Sequence, residues 1–284
     1  MMRKLIPGIV IALLAVSPVS AATKTPVSPI SLTTLTPSIS ASFSGGDQVS
    51  QLLTSPSGLF LLGTVESTTF PLVTTAPLGG SDGFITSLNF QGVKLWELRL
   101  GTAGDDVATA GYVDSLGNIW VTGSSALSIS GATPAPGLNR LTVWEISPVG
   151  ILLNTFSKDL SSVGIPTSIA LKGANYIIQG LSSAVGQPTF IVSMTSLGTI
   201  GTVKNSSAAP AVPSKFYSAT SSAYGWKINQ GRHVLFKSSL KDRSLKGIYS
   251  VHGAPISLQY QVGLGVVLLS QGFGTYFVTV AHTK

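Results

Sequence analysis

The residue types that most often catalyse reactions or bind transition metals are few in this chain, and they are widely spaced. There is no cysteine, and the three histidines, His233, His252 and His282, lie 19 and 30 residues apart. No H-E-x-x-H pattern occurs, and the spacing gives no local support to a Ser-His-Asp triad. The sequence therefore predicts no metal site and no cofactor, and it favours a non-catalytic protein.

Five aspartates could do a second kind of chemistry. They are Asp47, Asp82, Asp105, Asp106 and Asp114. Most of them stand beside glycine or serine, where a short carboxylate accepts hydrogen bonds from the backbone amides of a turn. Clustered carboxylates also bind calcium, but the later part of the chain has no matching acids to complete a ring. We therefore expect turn-stabilising roles, with calcium as the functional alternative.

The glutamates and tryptophans suggest carbohydrate chemistry as another alternative. Two facing carboxylates would hydrolyse a glycosidic bond, but the spacing of Glu66, Glu97 and Glu145 sets no two of them at the required separation. The tryptophans are Trp96, Trp120, Trp144 and Trp226. They fall inside apolar runs, so we expect them to pack in the core rather than to stack on sugars.

A basic stretch near the C-terminal end is the sharpest feature. Six bases fall within twenty residues: Lys227, Arg232, Lys237, Lys241, Arg243 and Lys246. Asp242 is the only acidic residue among them, and the chain as a whole carries a net charge of +7. If Phe236 packs inward on a strand, alternation places Lys237, Lys241 and Arg243 on the other side.

A solvated surface is the plain interpretation of this stretch. The functional interpretation is a binding surface for an anionic envelope polymer, a glycan, phospholipid head groups or a partner protein. Export, predicted below, disfavours nucleic acid.

The N-terminal residues predict export. Arg3 and Lys4 precede a twelve-residue apolar run, and small residues surround the Ala21–Ala22 bond, which is the pattern of a cleaved signal peptide over residues 1–21. Spanning a membrane takes roughly 20 apolar residues, so the run is too short to anchor the chain. Residues 22–35, rich in Thr, Ser and Pro, predict a flexible segment, and residues 36–284 a single folded domain, secreted or at the cell surface.

A repeated block predicts the architecture of that domain. Aromatic and β-branched residues ending in glycine recur five times, and the closing glycines are Gly63, Gly123, Gly180, Gly231 and Gly272. The drifting period near fifty residues is typical of propeller blades. Charged residues make up 10% of the chain, against about 25% in typical domains, which suits short strands and tight turns. Further strand-like runs around each block give four strands per repeat.

The two ends of the chain complement each other. The fifth repeat stops after Tyr276–Val280 and lacks an outer strand, while the run Ser38–Phe43 stands before the first repeat without a partner. Pairing these runs would hide two open sheet edges. The sequence thus predicts an all-β propeller of five four-stranded blades, with the ring closed by the N-terminal strand.

Residues 45–123 carry a family resemblance. The motifs are Thr69-Phe70-Pro71, Gly79-Gly80-Ser81-Asp82-Gly83-Phe84-Ile85, Leu95-Trp96, Leu100-Gly101, Asp105-Asp106-Val107-Ala108 and Gly117-Asn118-Ile119-Trp120-Val121-Thr122-Gly123. In order and approximate spacing this part of the chain resembles the bacterial SBBP-type β-propeller repeat. The resemblance implies an extracellular bacterial propeller, and the family has no single activity to carry over.

These observations favour a secreted or cell-surface propeller with a non-catalytic binding or structural role, with the basic stretch at 227–246 as its surface for an anionic partner. The alternative is a secreted hydrolase acting on polysaccharide, with carboxylates on the propeller axis.

Overall fold

The computed structural model describes ten parts of the chain. They are residues 39–42, 46–126, 140–207, 216–218, 222–229, 232–239, 245–250, 253–261, 265–272 and 274–281. All of them belong to the unit Leu32–Lys284. The described residues include no helix that is long and apolar enough to cross a membrane. The predicted signal peptide and the segment 22–35 lie outside the described residues.

Twenty strands make up the described structure. In chain order they are β1 (Ile39–Ser42), β2 (Gln48–Ser55), β3 (Gly58–Val65), β4 (Asp82–Leu88), β5 (Lys94–Leu100), β6 (Asp106–Val113), β7 (Ile119–Ser125), β8 (Arg140–Ile146), β9 (Leu152–Asp159), β10 (Gly164–Lys172), β11 (Asn175–Ser182), β12 (Thr189–Thr195), β13 (Lys204–Ser206), β14 (Phe216–Ser218), β15 (Ser222–Asn229), β16 (Arg232–Ser239), β17 (Leu245–Ser250), β18 (Ala254–Gln261), β19 (Gly265–Gly272) and β20 (Thr275–Ala281).

The strands form four-stranded antiparallel sheets. The first four sheets are β2–β5, β6–β9, β10–β13 and β14–β17, each hydrogen-bonded in chain order, and the fifth has the order β18–β19–β20–β1. In the fifth sheet Ile39 of β1 lies opposite Val278 of β20. The prediction of an all-β protein with a propeller-type arrangement of four-stranded repeats is confirmed.

The repeated glycine marks a bulge in the neighbouring strand. The first strands of the first three sheets bulge at Val49/Gln51, Ala108/Ala110 and Pro166/Ser168, and the residues paired there are Gly63, Gly123 and Gly180. A methyl group added to Gly63 would lie 2.8 Å from the carbonyl carbon of Gln48, and one added to Gly123 would lie 2.8 Å from that of Val107. Glycine recurs because the bulged carbonyl occupies the space that a side chain would need.

The last two blocks differ from this scheme. In the fifth sheet the residue opposite the bulge at Pro255/Ser257 is Ser270, so the predicted glycine, Gly272, lies two residues beyond it. In the fourth sheet the second strand, β15, already ends at Asn229, and Gly231 lies outside the described residues.

Apolar side chains pack between neighbouring sheets. One cluster joins the fifth sheet to the first, a second joins the first to the second, a third joins the second to the third, and a fourth joins the fourth to the fifth. Trp120 and Trp144 are buried in these clusters, which confirms the core role predicted for them. Trp96 is half-buried beside Phe60, with ring centroids 5.8 Å apart.

One tight turn recurs at the hairpins of the first three sheets. It runs over 89–92, 114–117, 147–150 and 195–198, and in each turn the amide of the fourth residue, a glycine with positive φ, donates to the carbonyl of the first residue. The side-chain oxygen of the first residue, Asn89, Asp114, Ser147 or Thr195, accepts a further backbone amide. These turns are rigid because backbone and side chain both close them.

Two of these turns also latch neighbouring sheets together. Gly150 of the second sheet lies against the indole of Trp96 in β5, whose Nε1 donates to the carbonyl of Pro148 at 3.2 Å. Gly198 of the third sheet lies in the same way against the ring of Phe156 in β9. In the second and third sheets, a turn therefore covers an aromatic ring on the outer strand of the preceding sheet.

The two ends of the sheets differ in their connections. Because each sheet is an antiparallel meander that begins at its inner strand, its first and third hairpins lie at one end, which we call the turn face. The second connection of each sheet and the connections between sheets lie at the other end, which we call the loop face. The recurring turn belongs to the turn face.

Candidate functional site

The structure separates the six predicted bases. Lys237 of β16 lies directly opposite Lys246 of β17, next to the pair Ser238 and Leu245 that ends this ladder on the turn face. Lys227 is paired with Val234, and Arg232 with Asn229, so both fall toward the loop face. Lys241 and Arg243 lie outside the described residues. The stretch is therefore not one row of charge along a single strand.

The cross-strand pair of lysines concentrates positive charge. Phe236 is buried, but so are its neighbours Val234 and Leu235, so burial does not alternate along this part of β16, and Lys237 is half-exposed. The register thus brings the backbone positions of two lysines together at this end of the fourth sheet.

Three of the aspartates accept backbone amides outside the strands, and of these only Asp114 stabilises its own turn in the way predicted. Asp47 accepts the amides of Glu66 and Ser67, both at 3.0 Å. Asp105 accepts the amide of Ser81 at 3.1 Å. Asp114 accepts two backbone amides of its own turn, and its second oxygen accepts the indole N–H of Trp120 at 3.1 Å.

The other two aspartates are fully buried where the first and second sheets meet. Asp82 accepts the amide of Leu78 at 3.0 Å and the guanidinium of Arg99 at 2.8 Å. Asp106 accepts the amide of Thr102 at 2.7 Å. Burial raises the pKa of Asp106 above its ordinary value, although hydrogen bonds from Ser125 and Thr102 act in the opposite direction. The two Oδ1 atoms have no well-placed hydrogen-bond partner among the described residues.

Sequence analysis missed the arginines that pair with such carboxylates. In the first sheet the acid begins the third strand and Arg99 stands near the end of the fourth. In the second sheet the order is reversed, since Arg140 begins β8 and pairs with Asp159 at the end of β9 at 2.5 Å. Neither pair has a local sequence signal, because each joins the ends of two different strands.

The glutamates considered for hydrolysis are engaged elsewhere. Glu97 accepts hydrogen bonds from the amides of Thr74 and Thr75 and forms an ion pair with Lys94. Burial acts to raise the pKa of Glu97, but these bonds outweigh it and lower the pKa below its ordinary value. Glu145 accepts from the side-chain amide of Asn154 at 2.7 Å. Glu97 and Glu145 therefore have local structural partners, whereas Glu66 is exposed.

A cavity of about 270 Å³ lies between the first and second sheets. Its lining residues are Leu78, Arg99, Leu100, Gly101, Thr102, Ser125, Thr142, Trp144, Leu152 and Thr155. No carboxylate lines it, and the guanidinium of Arg99 is already bound to Asp82 and to the carbonyls of Thr75 and Ser67. Among the described residues, no group of three or more histidine or acidic side chains is placed to hold a metal ion.

Comparison with known proteins assigns no family. No family model and no curated protein matches the chain. Among solved structures, it is similar to a xylan β-1,4-xylosidase from Bacillus halodurans C-125, with a TM-score of 0.37 and 10% identity over 81% of this chain and 42% of that one. The chain thus spans less than half of that enzyme.

Two further solved structures are similar at comparable levels. The Neurospora crassa Pan2 WD40 domain has a TM-score of 0.37 and 10% identity, over 83% of this chain and 76% of that one. The β-propeller domain of Vanderwaltozyma polyspora Nup133 has a TM-score of 0.25 and 7% identity, over 78% and 71%. At these values the similarities identify neither a family nor an activity for this chain.

Proposed function

We propose that this protein is an exported bacterial propeller with a non-catalytic binding or structural role, secreted or held at the cell surface. Its anionic partner binds at the basic stretch of the fourth sheet. The observation that carries the proposal is the register that places Lys237 opposite Lys246 at the turn face of the fourth sheet, because positive charges brought together on a surface attract an anionic partner.

The carboxylates support a binding role over catalysis. Asp47, Asp105 and Asp114 accept turn amides, and Glu97 and Glu145 are bound to side chains and amides nearby. A glycoside hydrolase needs two carboxyl groups that face each other across the scissile bond. The hydrolase alternative therefore has less support than the binding role.

We also propose that the five sheets are blades of one ring, with β1 closing it in the last blade. The pairing of β1 with β20 supports this, as does the cluster that joins the fifth sheet to the first. A closed ring protects sheet edges without the disulfides that many exported proteins use.

The binding proposal is tested with polyphosphate, teichoic acid and alginate. The mature protein should bind at least one of them, and binding should weaken steeply between low and physiological salt, because screening shortens the range of the charges to about 8 Å. Lys237→Gln with Lys246→Gln should reduce the affinity several-fold, and adding Lys241→Gln and Arg243→Gln should reduce it further.

A matched control removes the same charge from other sheets. Lys158 and Lys204 lie on β9 and β13, and changing both to Gln should leave the affinity near that of the wild type. If the control and the Lys237/Lys246 variant lose affinity equally, net charge alone is responsible and the assigned surface is wrong.

A further inference from the structure

Three aliphatic side chains protrude from the turn face at equivalent positions. They occupy the third residue of the recurring turn, and they are Leu116, Val149 and Leu197, with 81%, 70% and 87% of their surface exposed. The fourth turn has Gln91 at this position. The turn therefore folds equally well with a polar residue at its third position. Turn geometry does not explain why the other three turns have an aliphatic residue at that position.

The turns hold these side chains rigidly. The amide of Leu116 is bound by the side chain of Asp114 at 2.9 Å, and Gly117, Gly150 and Gly198 close their turns onto backbone carbonyls. Because the backbone is already ordered, little conformational entropy is lost when the tips are buried.

The contacts between turns gather these tips at one end. Gly150 lies on Trp96, beside Val93 and Leu95, which are 58% and 57% exposed. An added Cβ on Gly117 would lie 3.2 Å from Pro148, so the two turns of the second sheet are neighbours. The apolar side chains thus form a group at the turn face, separated from one another by polar turn residues.

Exposed charge is distributed unequally between the two ends. Among the described residues the acids classed as exposed are Glu66, Asp105 and Asp159, and all three lie at the loop face. The exposed Lys172 stands beside a hairpin of the turn face, as does Lys94, which is ion-paired with Glu97, and the register places the Lys237/Lys246 pair at the same face. The acids nearest the turns of this face, Asp114 and Glu145, are half-buried, so the exposed acids are confined to the loop face.

We infer that the turn face docks onto an anionic phospholipid bilayer, with Leu116, Val149 and Leu197 inserted at the boundary between head groups and acyl chains. The inference rests on the proposed function, because the inference specifies a phospholipid bilayer as the anionic partner. A stable protein dimer needs about 800 Å² of continuous surface on each partner, whereas a fluid bilayer takes up separate aliphatic tips and attracts the lysines around them.

The test uses sedimentation with vesicles of equimolar phosphatidylglycerol and phosphatidylcholine, and with phosphatidylcholine alone. The wild type should partition onto the anionic vesicles and much less onto the neutral ones. The triple variant Leu116→Gln, Val149→Gln, Leu197→Gln copies the polar residue of the first turn. It should fold normally and lose about tenfold or more in partitioning, because the aliphatic burial that each tip contributes is gone.

The matched control lies at the opposite end. Val185 of the β11–β12 connection is fully exposed at the loop face, and Val185→Gln should partition like the wild type. The inference is overturned if the wild type does not sediment with anionic vesicles, if the triple variant sediments as well as the wild type, or if light scattering without lipid shows a dimer that the triple variant abolishes.

The result also separates this inference from the proposed function. If the triple variant loses vesicle binding but keeps polyphosphate binding, both stand. If Lys237→Gln with Lys246→Gln has no effect on any anion while the tip variant still loses the vesicles, docking stands and the assigned basic surface fails. If tip changes have no effect and the lysine changes abolish polyphosphate binding, only docking fails.

Discussion

Gly63→Ala tests whether the repeated glycine is required by the bulge opposite it. The added methyl group would lie 2.8 Å from the carbonyl carbon of Gln48 and 2.9 Å from Cε1 of Phe84. Carbon atoms pack at about 3.5 to 4.0 Å, and the carbonyl oxygen of Gln48 lies closer still to the added methyl group, so both the bulged strand and the ring must move, the strand by on the order of an ångström or more. Both are in the core, where Phe84 is fully buried.

The expected cost is about 3 kcal/mol, at the upper end of the range for overpacked cores. The small entropic gain of replacing a strand glycine, about 0.5 to 1 kcal/mol, offsets only part of the clash. In a domain of this size a loss of 3 kcal/mol lowers Tm by about 6 to 12 °C. Urea unfolding followed by fluorescence and a thermal scan by circular dichroism measure the two quantities.

The control is Gly201→Ala. Gly201 lies outside the strands and has no positive φ, and the two atoms nearest to its added methyl group both belong to Ser193, at 3.2 Å. We expect it to change the free energy of unfolding by about 0.5 kcal/mol or less. If Gly63→Ala costs no more than Gly201→Ala, the bulge does not explain the repeat and the steric reasoning is refuted.

Three further predictions concern charge and closure. The raised pKa of Asp106 means that the folded state binds this proton more tightly than the unfolded chain, so this residue's contribution to stability falls as pH rises through the raised value. The free energy of unfolding of Asp106→Asn should therefore increase relative to that of the wild type as the pH is raised from about 3.5 to about 7. If the difference in free energy of unfolding between the two proteins does not change over this range, the prediction is wrong. Asp82→Asn leaves the buried Arg99 without its ion pair and should cost about 3 kcal/mol or more, whereas Arg140→Gln, whose acidic partner is mostly exposed, should cost about 1 kcal/mol or less in the same urea assay. Deleting residues 36–44 removes β1 and uncovers the edge of β20, so Tm should drop sharply, and an unchanged Tm would remove the argument for closure.

The sequence was sufficient for the strand pattern because local rules determine it. Strand-length apolar runs closed by Gly63, Gly123 and Gly180 correspond to the second strands of three sheets. The requirement for glycine is not local, however, since it comes from a carbonyl on another strand. For this reason the fifth block is a strand as predicted, yet its closing glycine does not face the bulge, where Ser270 lies instead.

The candidate site was harder to predict than the fold. Closeness in sequence suggested that six bases would act together, but Arg232 begins β16 at the loop face and Lys237 lies near the other end of the same strand. The bases are thereby divided between the two ends of the sheet. Counting residues gives charge density along the chain, whereas the register of pairing decides which charges meet.

The aspartates show the opposite case. A carboxylate beside a turn acts over a few residues, so the role of Asp114 followed from its neighbours alone, whereas Asp47 accepts amides 19 and 20 residues away. The buried pair of Asp82 with Arg99 joins two strands of one sheet, and no spacing rule links its members. Interactions within a turn are therefore readable from sequence, and those across strands need the fold.

The latches at Trp96 and Phe156 give the molecule a direction of assembly. Each aromatic ring is covered by a glycine that is synthesised later, in the next sheet. A chain emerging from the ribosome can therefore form each sheet in turn, but the newest outer strand stays uncovered until its successor appears. Strand β1 stays unpaired longest after its synthesis, because its partner β20 is the last strand of the described chain. Synthesis interrupted after the first or the second sheet would thus leave one uncovered ring, Trp96 or Phe156, and an unpaired β1, features by which quality-control proteases would distinguish such a product from the finished protein.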